Sequence, residues 1–127
     1  MDTDLLVAIL RKKEEAQKKM DQLDKEGRQA TTTVNAFELF YGAHKSKMAE
    51  ENVTKTRTIL SRLLVLPLGL GSAERAGDIF AALERKGTAL DFRDAMIAGI
   101  ALDSKLPVVT RNKRDYSKVP GLEVEEW

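Results

Sequence analysis

The sequence predicts an α/β domain in which a short, mainly parallel sheet is sandwiched between helices. Short aliphatic or β-branched runs at Arg28–Thr33, Leu64–Leu66, Leu106–Val109 and Leu122–Trp127 alternate with longer stretches of helical apolar spacing. The chain has 127 residues, 43% apolar and 32% charged, which suits one core and not two. A single domain over residues 1–127 is expected, with no internal repeat or linker.

Each element has a local reason. Thr3 or Asp4 is placed to cap a helix beginning at Leu5. Arg11–Glu26 reads as a solvated helix with a thin stripe of Ala16, Met20 and Leu23, ended by Gly27. After the Arg28–Thr33 strand, Asn35 and Glu38 have capping-box spacing for a helix over 35–41, with Phe37, Phe40 and Tyr41 as its buried face. Met48–Leu63 is a helix with Val53, Ile59, Leu60 and Leu63 inward. Leu64–Leu66 is a strand stopped by Pro67. Ser72 caps a helix over 73–86 that buries Ala76, Ile79, Phe80 and Leu83. Asp91 caps the next helix, whose stripe is Met96, Ile97, Ile100 and Ala101. The strand Leu106–Val109 then ends at Thr110 in a polar loop, and Leu122–Trp127 is a last strand.

Composition narrows the chemistry. Without cysteine there are no disulfides or thiolate metal sites, and one histidine, His44, rules out a histidine-rich centre. A net charge of +1 announces no nucleic-acid partner globally, although it can hide a local basic face. No apolar run reaches membrane-spanning length and no signal peptide is visible, so a cytoplasmic protein without a membrane partner is expected.

The candidates for chemistry are Asp2, Asp4, Glu38, Asp91, Asp94, Asn112 and Asp115. Each has an ordinary alternative as a helix cap or a complement to a helix dipole. In a parallel topology, however, Asp2, Glu38, Asp94 and Asn112 all fall where one rim of the sheet can gather them. Carboxylates crowded on a rim repel unless a hard cation sits among them, and Mg²⁺ or Mn²⁺ prefers such oxygen ligands. That arrangement suits metal-assisted hydrolysis of a phosphodiester.

The same residues carry a resemblance. The runs DTDLLVA (2–8), TTVNAFELFYG (32–42), DAMIA (94–98), VTRNKRDY (109–116) and VPGL (119–122), with Trp127, resemble a PIN domain, and more narrowly the VapC-type toxins of toxin–antitoxin pairs. The resemblance implies a PIN-like three-layer α/β/α fold and a Mg²⁺- or Mn²⁺-dependent ribonuclease. It implies a homodimer held inactive by a cognate antitoxin. Carried over by position, the acidic triad is Asp2, Glu38 and Asp94, and the fourth site falls on Asn112, with Asp115 beside it as a substitute metal ligand. Thr110 is expected to orient a ligand or water, and Asp4 to support the site. The family places a run of apolar residues before its first aspartate; here Met1 alone precedes Asp2, so the first strand is expected to be cut short. Arg93, Arg111, Lys113, Arg114 and Lys118 flank the site as candidates to hold RNA phosphates, whereas the mixed-sign segment Arg11–Glu26 makes a poor phosphate groove. A non-cutting PIN-like module that binds RNA or a partner is the alternative reading.

Overall fold

The computed structural model describes residues 1–127. Helix α1 spans Thr3–Leu10, and its cap is Asp2, whose Oδ1 accepts the Thr3 amide at 2.9 Å. The cap thus falls one or two residues earlier than Thr3 or Asp4, because an extended Asp2 reaches the first free amide itself. Leu5 and Leu6 are both fully buried. They face different clusters, Leu5 with Ala16, Leu23 and Val109, and Leu6 with Leu39, Ile59 and Leu63.

Helix α2 spans Glu14–Lys25 and does not run on from Arg11. Lys12 adopts φ +59°, and this left-handed residue breaks the segment into two helices at an angle. At the far end Gly27 sits at φ +67°, its amide bonding to Asp24 O and that of Arg28 to Leu23 O. That is the double bond pattern of a glycine C-cap.

β1 (Ala30–Thr32) leads directly into α3 (Thr33–His44). Thr32 is the cap, its Oγ1 accepting the Asn35 amide at 3.1 Å, so Asn35 is not a cap and Glu38 does not close a capping box. α3 buries Val34, Asn35, Leu39 and Ala43. Phe37 and Tyr41 are instead 59% and 55% exposed and stack on each other with centroids 6.2 Å apart. Helical spacing puts these two aromatics on one face, but only the neighbours of Leu39 and Ala43 decide which face is covered.

α4 (Ala49–Leu60) buries Val53, Thr56 and Ile59, and β2 (Leu64–Leu66) follows as expected. α5 (Leu70–Arg85) starts earlier than expected. Gly69 is its cap, and Ser72 sits inside the first turn with its hydroxyl accepting the Gly69 amide at 2.9 Å. α6 (Phe92–Asp103) is capped by Asp91 as the sequence indicated, Oδ1 accepting the Arg93 amide at 2.8 Å. α5 and α6 pack so closely at Gly99 that a Cβ there would lie 2.7 Å from Ser72 O. β3 (Val108–Val109) is short, the polar loop after it contains a helical turn, α7 (Lys113–Tyr116), and β4 (Val124–Glu125) ends the chain's regular structure.

The strands form two parallel pairs, not one continuous sheet. β1 pairs with β2 (Thr31 opposite Val65) and β3 with β4 (Val108 opposite Val124). Met1 and Asp2 lie between the pairs and tie them together. The Met1 amine donates to Ala30 O at 2.7 Å, Thr31 Oγ1 donates to Met1 O at 2.8 Å, and the Asp2 amide donates to Val109 O at 3.0 Å. No strand forms at Met1–Asp2 itself.

Val108 belongs to the α5–α6 cluster, while its neighbour Val109 packs with Leu5, Ala16 and Leu23. Helices therefore cover both faces of the strands, which is the three-layer arrangement expected. No helix is long and apolar enough to cross a membrane.

Candidate active site

The N-terminal halves of four helices deliver polar side chains to one open groove of about 680 Å³. Asp2 arrives as the cap of α1, Glu38 on the second turn of α3, Asp94 in the first turn of α6 and Asn112 as the residue before α7. All four line the groove, together with Thr3, Asp4, Arg11, Lys13, Arg111 and Trp127. The sequence thus placed Asp2, Glu38, Asp94 and Asn112 on a common rim, and the fold brings them together. Asp115 is not among the lining residues; it faces Lys118 at 3.3 Å, which holds its carboxyl below the usual range after the Asn112 side chain.

Asp2 is buried and hydrogen-bonded at both oxygens, with one acceptor site left on Oδ2. Its Oδ1 accepts from Asn35 Nδ2 at 3.0 Å and from the Thr3 amide. Its Oδ2 lies 2.8 Å from Thr110 Oγ1, which is also 3.0 Å from Asp4 Oδ2. A hydroxyl has one hydrogen, so Thr110 serves one of these carboxylates at a time. Thr110 holds carboxylates in place from beneath the groove.

Two residues that the sequence did not assign to the site, Asn35 (read there as a helix cap) and Tyr116, complete the set. Asn35, completely buried, donates to Asp2 and to Thr3 Oγ1 at 2.9 Å, and Thr3 in turn donates to Glu38 Oε1 at 2.9 Å. One amide thereby fixes two carboxylates. Its spacing from Glu38, three residues along a helix, was the available signal. Tyr116, also completely buried, places its hydroxyl 3.1 Å from Asp94 Oδ1 and 3.4 Å from Asp2 Oδ1. It sits four residues after Asn112, one helical turn on, and nothing in its own sequence neighbourhood distinguishes it from a core tyrosine.

The electrostatics are those of crowded like charges. Burial first, then the charge of Asp2, push the Asp94 carboxyl up from 3.8 to about 6. Burial also raises Asp2 and Glu38, with a neighbouring carboxylate adding to each, and it drives the Tyr116 hydroxyl far up, so Tyr116 stays a donor. These pressures outweigh the helix N-termini at Asp2 and Asp94, which on their own favour negative charge.

The donors are hard oxygens, the type that Mg²⁺ and Mn²⁺ select. No three acidic or histidine side chains already stand in metal-holding geometry. The set therefore fits an ion that takes one or two carboxylates and keeps several waters, which is the habit of Mg²⁺. Asp2 and Asp94 both lie within reach of the one Tyr116 hydroxyl.

The cations are distributed differently from expectation. Arg93 is tied to Asp91 at 3.2 Å and lies 3.8 Å from Glu38, Lys113 pairs with Glu126, and Arg111 pairs with Glu15. Arg11 and Lys13 line the groove without an ion-pair partner, because the break at Lys12 turns them to its wall. The segment judged too mixed in sign for phosphate thus supplies the free charges. Glu15 of the same segment also lines the groove, but Arg111 takes it up and leaves Arg11 and Lys13 unpaired.

Known proteins agree with this geometry. Residues 1–122 match the PIN domain family. The chain is 35% identical over its whole length, and 96% of the relative's, to the tRNA(fMet)-specific endonuclease VapC of Salmonella typhimurium. It is 29% identical to ribonuclease VapC2 of Haemophilus influenzae over all of this chain and 96% of that protein. Among solved structures, the DNA-bound VapBC of Salmonella typhimurium superposes with a TM-score of 0.87 at 35% identity, covering 96% of this chain and 91% of the other. VapBC2 of Rickettsia felis, bound to a fragment of promoter DNA, gives 0.90 at 29% identity over 99% and 96%. With its carboxylates gathered at one end of two parallel strand pairs and its whole length matched in sequence and fold, the chain belongs to the PIN domain family and, within it, to the VapC group.

Proposed function

We propose that this protein is a Mg²⁺- or Mn²⁺-dependent endoribonuclease, the toxin of a type II toxin–antitoxin pair. The observation that carries the reading is the groove in which Asp2, Glu38 and Asp94 converge with carboxyls raised by burial and by one another. Such a site is costly without a cation and suited to one. The names of the VapC relatives support RNA as the substrate, and the tRNA(fMet) named for the Salmonella typhimurium protein is the first to assay.

In this reading Asp2 and Asp94 would hold the ion, with Glu38 lining the same groove. Bound there, the cation supplies Lewis-acid stabilisation of the charge that builds on the phosphate during hydrolysis. Asn35 and Thr3 hold Asp2 and Glu38 in fixed rotamers, and Thr110 and Tyr116 fix Asp2 and Asp94. Asn112 lines the wall through a neutral amide, an oxygen donor that adds no charge. Asp4 is occupied by the Arg111 amide at 2.9 Å and the Trp127 indole at 3.1 Å, which makes it a clamp on the polypeptide and not a metal ligand. Arg11 and Lys13 are the phosphate-holding candidates, and Arg114 is not among the residues that line the groove.

The VapBC structures support a cognate antitoxin as partner, and the exposed Phe37–Tyr41 stack supports a homodimer. The test is cleavage of tRNA with Mg²⁺, with EDTA, and with Asp94→Asn. Cleavage that needs the ion and falls by orders of magnitude in the variant is expected. Metal-independent or undiminished cleavage refutes the assignment, and binding without any cleavage returns the non-cutting module.

A further inference from the structure

Arg111 is oriented as a flat surface, not as a reaching charge. Its guanidinium lies 3.7 Å from the centroid of the Trp127 ring, stacking distance for a planar cation on an indole. The stack is pinned at several points. The indole N–H donates to Asp4 Oδ1 at 3.1 Å, the Arg111 amide donates to Asp4 Oδ2 at 2.9 Å, and the guanidinium pairs with Glu15. The Trp127 ring packs against the cluster of Leu5, Ala16, Leu23 and Val109, so its inner side is core. The Arg111 side chain remains 51% exposed, and both residues line the groove that holds the carboxylates.

Glu15 offsets the guanidinium charge, which weakens Arg111 as a phosphate clamp. The indole fixes its plane, which leaves a rigid π-face on the groove side. Single-stranded RNA is commonly read by stacking unpaired bases on aromatic rings or arginine planes.

We propose that the Arg111–Trp127 stack is a base platform, on which one unpaired nucleobase of the RNA stacks while its phosphates follow Arg11 and Lys13. The proposal rests on the ribonuclease reading of the same groove. It assigns Arg111 to base positioning and not to phosphate binding, and it makes Asp4 and Glu15 the residues that aim the platform.

Trp127 is the single tryptophan of the chain, so its fluorescence reports the platform directly. The experiment uses the full chain carrying Asp94→Asn, with a short single-stranded oligoribonucleotide and a series bearing one abasic ribose at successive positions. The intact RNA should quench Trp127 emission, and one abasic position should weaken binding about tenfold. Arg111→Lys keeps the charge and the Asp4 contact of the main chain but loses the plane. It should weaken intact RNA by about the same factor and cause no further loss with the RNA abasic at that position. The salt dependence of binding should stay the same, since no phosphate contact is lost.

Equal weakening of intact and abasic RNA by Arg111→Lys, or a salt slope reduced by one charge, overturns the platform. Unchanged binding of Arg111→Lys overturns it as well. Cleavage by the wild-type chain with Mg²⁺, measured alongside, separates the two readings. If the wild type cuts RNA and Arg111→Lys behaves as a phosphate contact, the platform falls and the nuclease stands; if the wild type neither binds nor cuts RNA, both fall.

Discussion

Replacing Asp94 with asparagine separates a metal ligand from a helix-terminal ornament. Asp91, not Asp94, caps α6, so the substitution leaves the cap intact. The asparagine oxygen can still accept from Tyr116, which lies 3.1 Å away. What disappears is a charge that burial and Asp2 oppose. A carboxyl raised from 3.8 to about 6 carries a charged-state penalty of about 3 kcal/mol at neutral pH. Asp94 is partly exposed, and solvent screening cuts this to about 1–2 kcal/mol. Its charge near the N-terminus of α6 returns about 0.3–1 kcal/mol, so the penalty prevails. The sign follows from the raised value. Below about pH 4 the carboxyl is protonated folded and unfolded, and Asp94 is at no disadvantage. As pH rises from about 4 to about 6 the wild type loses stability progressively and the variant does not, and above that the difference is constant.

Urea melts in EDTA should therefore show Asp94→Asn equal to the wild type near pH 4 and more stable by about 1–2 kcal/mol at pH 7.5. Adding Mg²⁺ should reverse the order, since an ion at a hundred times its Kd stabilises the wild type by about 2.7 kcal/mol. A variant that is less stable at every pH, insensitive to Mg²⁺ in the same way as the wild type and fully active on RNA would refute the reasoning.

The other predictions follow from neighbouring contacts. Tyr116→Phe removes the donor that favours the Asp94 carboxylate, so the Asp94 pKa should climb further, read by the pH profile of cleavage, with a stability loss of about 1 kcal/mol. Asn35→Ala leaves Asp2 and Thr3 without their buried partner and should cost about 1–3 kcal/mol in urea melts, with cleavage reduced beyond what the folded fraction explains. Phe37→Glu places a charge on the exposed aromatic stack; light scattering should show a dimer becoming a monomer, and an unchanged mass would remove this face from the interface. Gly99→Ala should destabilise the α5–α6 contact by about 1–3 kcal/mol, because the new methyl meets Ser72 O, a main-chain atom, at 2.7 Å.

Some of this protein is local and was legible in its sequence. Alternating strand and helix patterns gave the α/β class, Gly27 and Asp91 ended and began their helices as their chemistry requires, and β2 lies where Pro67 confines it. Asp2, Glu38, Asp94 and Asn112 were identifiable because parallel topology sends those positions to one rim. What depends on contacts between distant residues was not legible. Periodicity placed Phe37 and Tyr41 on one face but could not say that Leu39 would meet Leu6 and the other face stay bare. Capping-box spacing at Asn35 and Glu38 was a local match overruled by another local one, Thr32 reaching the amide first, and by a long-range bond that commits the Asn35 side chain to Asp2. Tyr116 became a site residue only because α7 folds back on Asp94, and Arg111 became a plane instead of a free charge only because Trp127 lies beneath it. Caps and turns are settled within a few residues by backbone geometry. Which carboxylate loses its water, and which cation keeps its freedom, is settled by neighbours that the chain brings together from up to 123 residues away.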